Sequence, residues 1–242
     1  LKIEGNLVSK PYLDATIATM RKFGVTVQTL IPYKRYNITP QIYKDTSFIV
    51  PIDFSSLALL LSASVLNGVD VKIKGDIGTL PQGDEVFLDI LEQLGVTVTI
   101  NDDEIKIKSP EKLNGGKFDL SNSPDLLPPL AILSLNTSNP IEITNVKHAR
   151  LKETDRIAIV SREIIKLGIK VQEKEDGLIL ESTENLNGAE LNSENDHRLF
   201  MAFCIAGMYV GDCTVSDPES VNVSYPNFIE EMNNLGAKIK VQ

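Results

Sequence analysis

The sequence predicts an α/β protein assembled from repeats of a β-α-β-α-β-β unit, and three observations predict it. Four segments share one pattern, an amphipathic helix, a glycine and an alternating strand: YLDATIATMRKFG-VTVQTL, VFLDILEQLG-VTVTI, REIIKLG-IKVQE and FIEEMNNLG-AKIKVQ. Their glycines, Gly24, Gly95, Gly168 and Gly236, stand 71, 73 and 68 residues apart. A second, more apolar helix lies between successive glycines, in SSLALLLSASVLNG, DLLPPLAILSLNT and HRLFMAFCIAGMYVG, and a short strand follows each. The repeat is too long for a solenoid turn, so each unit reads as a subdomain packed against its siblings.

Taken in order, the first helix starts at Ser9-Lys10-Pro11-Tyr12, where proline near the first helical position gives up no needed N–H. Gly24 and its counterparts fit the position after a helix where the backbone turns left-handed, which glycine adopts at least cost. The strands VDVKIKG, IEITNV and CTVSD follow the apolar helices, and VTVTI-NDDE-IKIK and IKVQEKEDGLILE read as hairpins. A strand is expected after Gly236 as well. Asp125 is expected to cap a helix with Pro128 and Pro129 in its first turn, Thr154 or Asp155 to cap the helix of Ile157, Val160, Ile164 and Leu167, and Asn195 or Asp196 to cap Leu199–Val210. Residues 51–242 hold nearly three units, and residues 1–50 only the tail of another, with exposed strand edges and unmatched apolar faces expected there. The chain opens Leu1-Lys2 rather than with Met and is expected to be part of a longer one.

Composition narrows the function classes. Of 242 residues 24 are basic and 33 acidic, a net charge of −9, against the clustered cations of a nucleic-acid or acidic-membrane surface. No apolar run reaches a membrane span. Two cysteines, Cys204 and Cys213, with two histidines leave no disulfide framework and no structural metal site, and Cys204 reads as a core thiol. Arginine is scarce, six against eighteen lysines, yet three of the six fall in Arg150-Leu-Lys152-Glu153-Thr154-Asp155-Arg156 and Asp196-His197-Arg198. Arginine clamps carboxylate or phosphate with two parallel bonds, and helix starts attract anions, so four polar helix starts point to one small-anion cleft. The blander reading is an ordinary set of caps and solvated charges.

At these residues the chain resembles 5-enolpyruvylshikimate-3-phosphate (EPSP) synthases. Arg150-Leu-Lys-Glu-Thr-Asp-Arg156 matches their R-x-K-E-[ST]-D-R segment, and Ser9-Lys10-Pro11-Tyr12, Gln82-Gly83-Asp84, Pro124-Asp125 and Asp196-His197-Arg198 match in order. The resemblance implies an inside-out α/β enolpyruvyl-transferase fold of two lobes, with residues 1–50 ending one and residues 51–242 forming the other. It implies transfer of the enolpyruvyl group of phosphoenolpyruvate to the 5-hydroxyl of shikimate 3-phosphate, in aromatic amino-acid biosynthesis, with no cofactor and no metal. Asp125 would assist deprotonation of the attacking hydroxyl, Glu153 would shuttle a proton at the methylene carbon, and Lys152 would contact the transferring centre. Ser9, Tyr12 and His148 would bind shikimate 3-phosphate, and Arg156, His197 and Arg198 phosphoenolpyruvate. His148 stands where the family can have Asn, and Val223 where it usually has a Lys, a change expected to weaken the phosphoenolpyruvate site. Expected partners are the two substrates and the N-terminal portion of the same enzyme, with no nucleic acid and no membrane, in a cytoplasmic protein that is monomeric when full length and belongs to the target family of the herbicide glyphosate. Alternatives are a UDP-N-acetylglucosamine enolpyruvyl transferase, which the Lys-Glu-Thr-Asp-Arg segment disfavours, and a non-catalytic binding or scaffold relative.

Overall fold

The computed structural model describes residues 1–101 and 103–241. The chain begins with helix α1 (Lys10–Lys22) and the antiparallel hairpin β1 (Gln28–Ile31) and β2 (Arg35–Asn37). Ile17, Val27 and Tyr36 form a small core between them. Residues 38–53 carry no regular structure, and Ile49 and Val50 are 76% and 79% exposed.

The middle unit is complete. Strand β6 (Gly116–Asp119) leads to α4 (Leu127–Leu133), β7 (Ile141–Thr144), α5 (Arg156–Lys166) and the hairpin β8 (Lys170–Lys174) and β9 (Gly177–Glu181). Its sheet runs β6-β7-β9-β8, with β6 parallel to β7 and the return strand β9 antiparallel between β7 and β8. The unit before it contains α2 (Phe54–Leu66), β3 (Val71–Lys74), α3 (Val86–Gln93), β4 (Thr97–Asn101) and β5 (Glu104–Lys108). The return strand β5 again lies between β3 and β4. Asp102 lies outside the described residues. The leading strand of this unit is not formed, and one backbone bond, Ile52 N to Asp76 O at 2.9 Å, stands in its place.

The last unit contains β10 (Glu190–Leu191), α6 (His197–Val210), β11 (Thr214–Val215) and α7 (Phe228–Asn234). The strand expected after Gly236 is absent over residues 237–241, and Gln242 lies outside the described residues. The other two units give the reason. Their counterpart strands bond only to the return strand, and among the described residues no return strand lies beside residues 237–241. A strand without a neighbour leaves its N–H and C=O groups unpaired. The side-chain amide of Asn233 takes that place for one residue: its Oδ1 accepts from Ile239 N at 2.8 Å and its Nδ2 donates to Ile239 O at 2.9 Å. A groove of about 790 Å³ separates β11 from residues 237–241.

The three apolar helices explain where the core sits. Helices α2, α4 and α6, one from each unit, pack against one another and are buried nearly all round, with the sheets and the amphipathic helices outside them. All four landmark glycines have positive φ, 81° at Gly24, 93° at Gly95, 98° at Gly168 and 106° at Gly236, as the sequence predicts. Cys204 is buried and free, and burial pushes its thiol up to about 12. No helix among the described residues is long and apolar enough to cross a membrane.

The exposed, unstructured connection predicts the first site of proteolysis. Limited digestion of the 242-residue chain cuts within residues 38–53 before it cuts within 54–235, which mass spectrometry of the fragments reads out.

Candidate active site

The three central helices begin together. Arg198, in the first turn of α6, donates from Nη2 to Ser55 Oγ in the first turn of α2 at 2.8 Å, and the same nitrogen lies 3.5 Å from Asp125 Oδ2, just before α4. Ser55 in turn donates to Asp53 Oδ1 at 2.7 Å, the cap of α2. Asp53 and Ser55 carry no motif signal in one sequence, because their partner lies 143 residues away.

Asp125 does not cap α4. It sits in a 3-10 turn, Pro124–Leu126, and its side chain points to cations instead. Its Oδ1 receives Arg156 Nη1 at 2.7 Å and Lys152 Nζ at 3.2 Å, and its Oδ2 faces Arg198 and the Tyr12 hydroxyl. A cap needs its oxygen at the helix N–H groups, and four stronger partners outbid them. Burial raises the Asp125 pKa, but Arg198, Arg156 and Lys152 outweigh it and hold the carboxyl at about 2.

Arg156 is the hub. It is 0% exposed. Its Nε and Nη2 grip Asp196 at 2.7 and 3.3 Å, its Nη1 holds Asp125, and its Nη2 also reaches Glu153 Oε2 at 2.7 Å. Asp196 caps α6 through Arg198 N and Leu199 N, and accepts from Thr154 Oγ1 at 3.1 Å. Asp155 caps α5 through Ala158 N, as expected. Each polar letter of the Arg150–Arg156 segment thus has a partner. Arg150 turns away from the cluster to Asp155, Glu173 and the carbonyls of Lys174 and Glu175, a brace rather than a site residue.

The remaining predicted residues divide. Tyr12 reaches the centre: its Oη lies 3.0 Å from Asp84 Oδ2 and 3.2 Å from Asp125 Oδ2, and Lys152 Nζ stands 5.8 Å from its ring. Ser9 starts α1 with φ 54° and a bond from its N–H to Ser121 O, and makes no side-chain cap. His148 and His197 each bury a ring nitrogen with no partner, and burial lowers both pKa values, so both are neutral at pH 7. Arg198 Nη1 is also buried without a partner. Glu153 is the open member, its side chain 46% exposed. Val223 is exposed, at the end of the 3-10 turn Pro218–Val223.

Asp84 also belongs to the site, although in the sequence nothing beyond the Gln82-Gly83-Asp84 motif marks it. Gln82 staples the turn to α2, accepting from Phe54 N at 3.0 Å and donating to Ile52 O at 2.7 Å. Gly83 admits two close neighbours: a Cβ there would stand 2.9 Å from both Asn122 O and Pro11 Cβ. Asp84 then enters the site, 5% exposed.

Removing one partner of a buried ion pair strands the others, so Arg156→Met is expected to cost about 3–5 kcal/mol in urea unfolding. Arg156→Lys keeps a charge but not the fork, and is also expected to destabilise. The low Asp125 pKa gives stability that is present above the ordinary carboxylate pKa near 3.8 and lost as pH falls toward about 2. Thermal melts between pH 5 and 2 should show a fall that Asp125→Asn reduces.

The EPSP synthase family model, 3-phosphoshikimate 1-carboxyvinyltransferase, matches residues 1–232. A 3-phosphoshikimate 1-carboxyvinyltransferase of Nitrosopumilus maritimus is 82% identical over 240 residues, 99% of this chain and 57% of the relative. One from Methanococcus maripaludis is 39% identical over 239 residues, 97% of this chain and 56% of the relative. The solved EPSP synthase of Acinetobacter baumannii superposes with a TM-score of 0.77 at 26% identity, covering 93% of this chain and 55% of that one. The enolpyruvyl transferase NikO of Streptomyces tendae shares the fold, with a TM-score of 0.75 at 19% identity over 97% of this chain and 55% of its own. The chain spans a little over half the length of these relatives, and it belongs to the EPSP synthase family.

Proposed function

We propose that this chain supplies one side of the cleft of an enzyme that transfers the enolpyruvyl group of phosphoenolpyruvate to the 5-hydroxyl of shikimate 3-phosphate and releases phosphate. The observation that carries the reading is the meeting of Tyr12, Lys152 and Arg198 around the buried carboxylate of Asp125 in a chain of this family. Residues 1–50 are assigned to the end of one lobe and residues 51–242 to the other, with the substrates between them and the rest of the protein completing the cleft. The cytoplasm is the assigned compartment.

The chemistry follows from charge and reach. Asp125, ionised between three cations, takes the proton of the attacking hydroxyl as its oxygen bonds to C2 of phosphoenolpyruvate. A proton must arrive at C3 in the same addition, and its loss again accompanies expulsion of phosphate. Glu153 is the carboxyl assigned to both transfers, because it is open to the cleft and held by one Arg156 nitrogen. When the phosphoenolpyruvate carboxylate arrives it replaces Glu153 on that nitrogen, and Glu153, open to water, takes up the proton that it gives to C3 and recovers as phosphate leaves. Arg198 brings the unpaired Nη1 and binds phosphoenolpyruvate beside His197, while Lys152 contacts the transferring centre. Ser9 binds the shikimate phosphate, and Tyr12 and His148 enclose the ring.

Phosphate release from phosphoenolpyruvate that depends on shikimate 3-phosphate, measured on the full-length protein, tests the reading. Asp125→Asn is expected to lower kcat by about 10²–10⁴, the usual weight of a positioned base. No turnover by a folded full-length protein would overturn it, and UDP-N-acetylglucosamine accepted in place of shikimate 3-phosphate would favour the sister transferase. The 242-residue chain alone should turn over poorly, because half of the positioning surface is absent.

A further inference from the structure

Tyr12 has one hydroxyl proton and two carboxylate oxygens within hydrogen-bonding distance, Asp84 Oδ2 at 3.0 Å and Asp125 Oδ2 at 3.2 Å. A phenol donates along one O–H, so its second contact is a hydrogen bond only where the other group brings a proton of its own. With both carboxyls ionised, lone pairs would face each other inside a pocket that also holds two like charges. Asp125 does not carry the extra proton, since Arg156, Lys152 and Arg198 surround it. Asp84 has no cation within ion-pair distance among the described residues, and its Oδ1 is buried without a partner.

We propose that Asp84 is a positioning residue of this site, a neutral carboxylic acid that donates to the Tyr12 hydroxyl, which donates to Asp125 and so aims that carboxylate at the hydroxyl it deprotonates. The chain of bonds runs Asp84 Oδ2–H to Tyr12 Oη, and Tyr12 Oη–H to Asp125 Oδ2. The groups facing Asp84 are Tyr12 from α1, Asp125 before α4, Arg198 from α6 and Asp53 at the cap of α2. Burial first, then the Asp125 charge, raises the Asp84 pKa to about 6, against the pull of the Tyr12 bond and of Arg198. Burial and the two carboxylates likewise push the Tyr12 phenol far above its ordinary value, so Tyr12 keeps its proton throughout. As pH rises through about 6 Asp84 releases its proton to water, Tyr12 can serve only one of its two neighbours, and Asp125 loses its aim.

The aim of Asp125 at a substrate hydroxyl rests on the proposed reaction, whereas the protonation of Asp84 does not, so two readouts are needed. The first is the pH profile of kcat/KM in the full-length protein, which reports groups of the free enzyme. A step that falls as pH rises near 6 is expected, and both Asp84→Asn, whose amide donates at every pH, and Tyr12→Phe should abolish it. Asp84→Ala should lower kcat about 10-fold or more with little change in KM, the weight of one bond in a charged chain, and Asp84→Asn should recover most of that loss. A step unchanged in Asp84→Asn, or a kcat unchanged in Asp84→Ala, overturns the proposal. The second readout is the infrared C=O band of a neutral carboxylic acid at about pH 5, without substrate. The difference spectrum of parent minus Asp84→Asn should show one such band, and in Asp125→Asn, where the neighbouring charge is gone, the band should be lost at lower pH than in the parent. Its absence from the parent protein, or its survival in Asp84→Asn, overturns the proposal even if turnover is normal, and its presence in a protein that transfers no enolpyruvyl group sinks the reaction alone.

Discussion

A guanidinium buried to 0% exposure, that of Arg156, is the constraint on which the rest of the site depends. Taking such an ion out of water costs several kcal/mol, and only a dense set of well-placed partners offsets it. Those partners come from separate parts of the chain: Asp125 before α4, Glu153 before α5 and Asp196 before α6. The pairing therefore fixes the start of one unit's apolar helix against the start of the next. Asp196 serves twice, as helix cap and as counter-ion, so the lone Arg156 side chain sets where Arg198 and His197 emerge. Stability and site geometry are here the same set of bonds.

The same arrangement gathers cations inside an acidic chain. The net charge of −9 describes the whole surface. In the cluster, two arginines and Lys152 surround Asp125, while Glu153 closes the outer side. The central helices α2, α4 and α6 start at the same end, where Asp53 and Asp196 cap the first turns of α2 and α6. Local placement counts more than the total, because screening removes distant surface charges within about 10 Å.

Local features were legible in the sequence. The four glycines, the hairpins and the caps Asp155 and Asp196 depend on residues within a turn or two, and all formed as read. The misses depend on distant partners. Asp125 looked like a cap because Pro128 and Pro129 follow it, yet Arg156, 31 residues on, claimed its oxygen. The alternation of Ala237–Val241 has the period of a strand, but a strand also needs a neighbour, which periodicity does not encode. Arg150 and Arg156 are indistinguishable by type and spacing, and only folding sends one to the surface brace and the other to the core. Asp84 was invisible for a related reason: its partner Tyr12 lies 72 residues away.

The tight spot at Gly83 has a mechanical consequence. Pro11 and Asn122 press so closely on it that helix α1 has no room to slide at its first turn. The first turn of α1 is thereby clamped to the turn that carries Asp84, so backbone packing as well as their own contact holds the Tyr12 hydroxyl and the Asp84 carboxyl at one spacing.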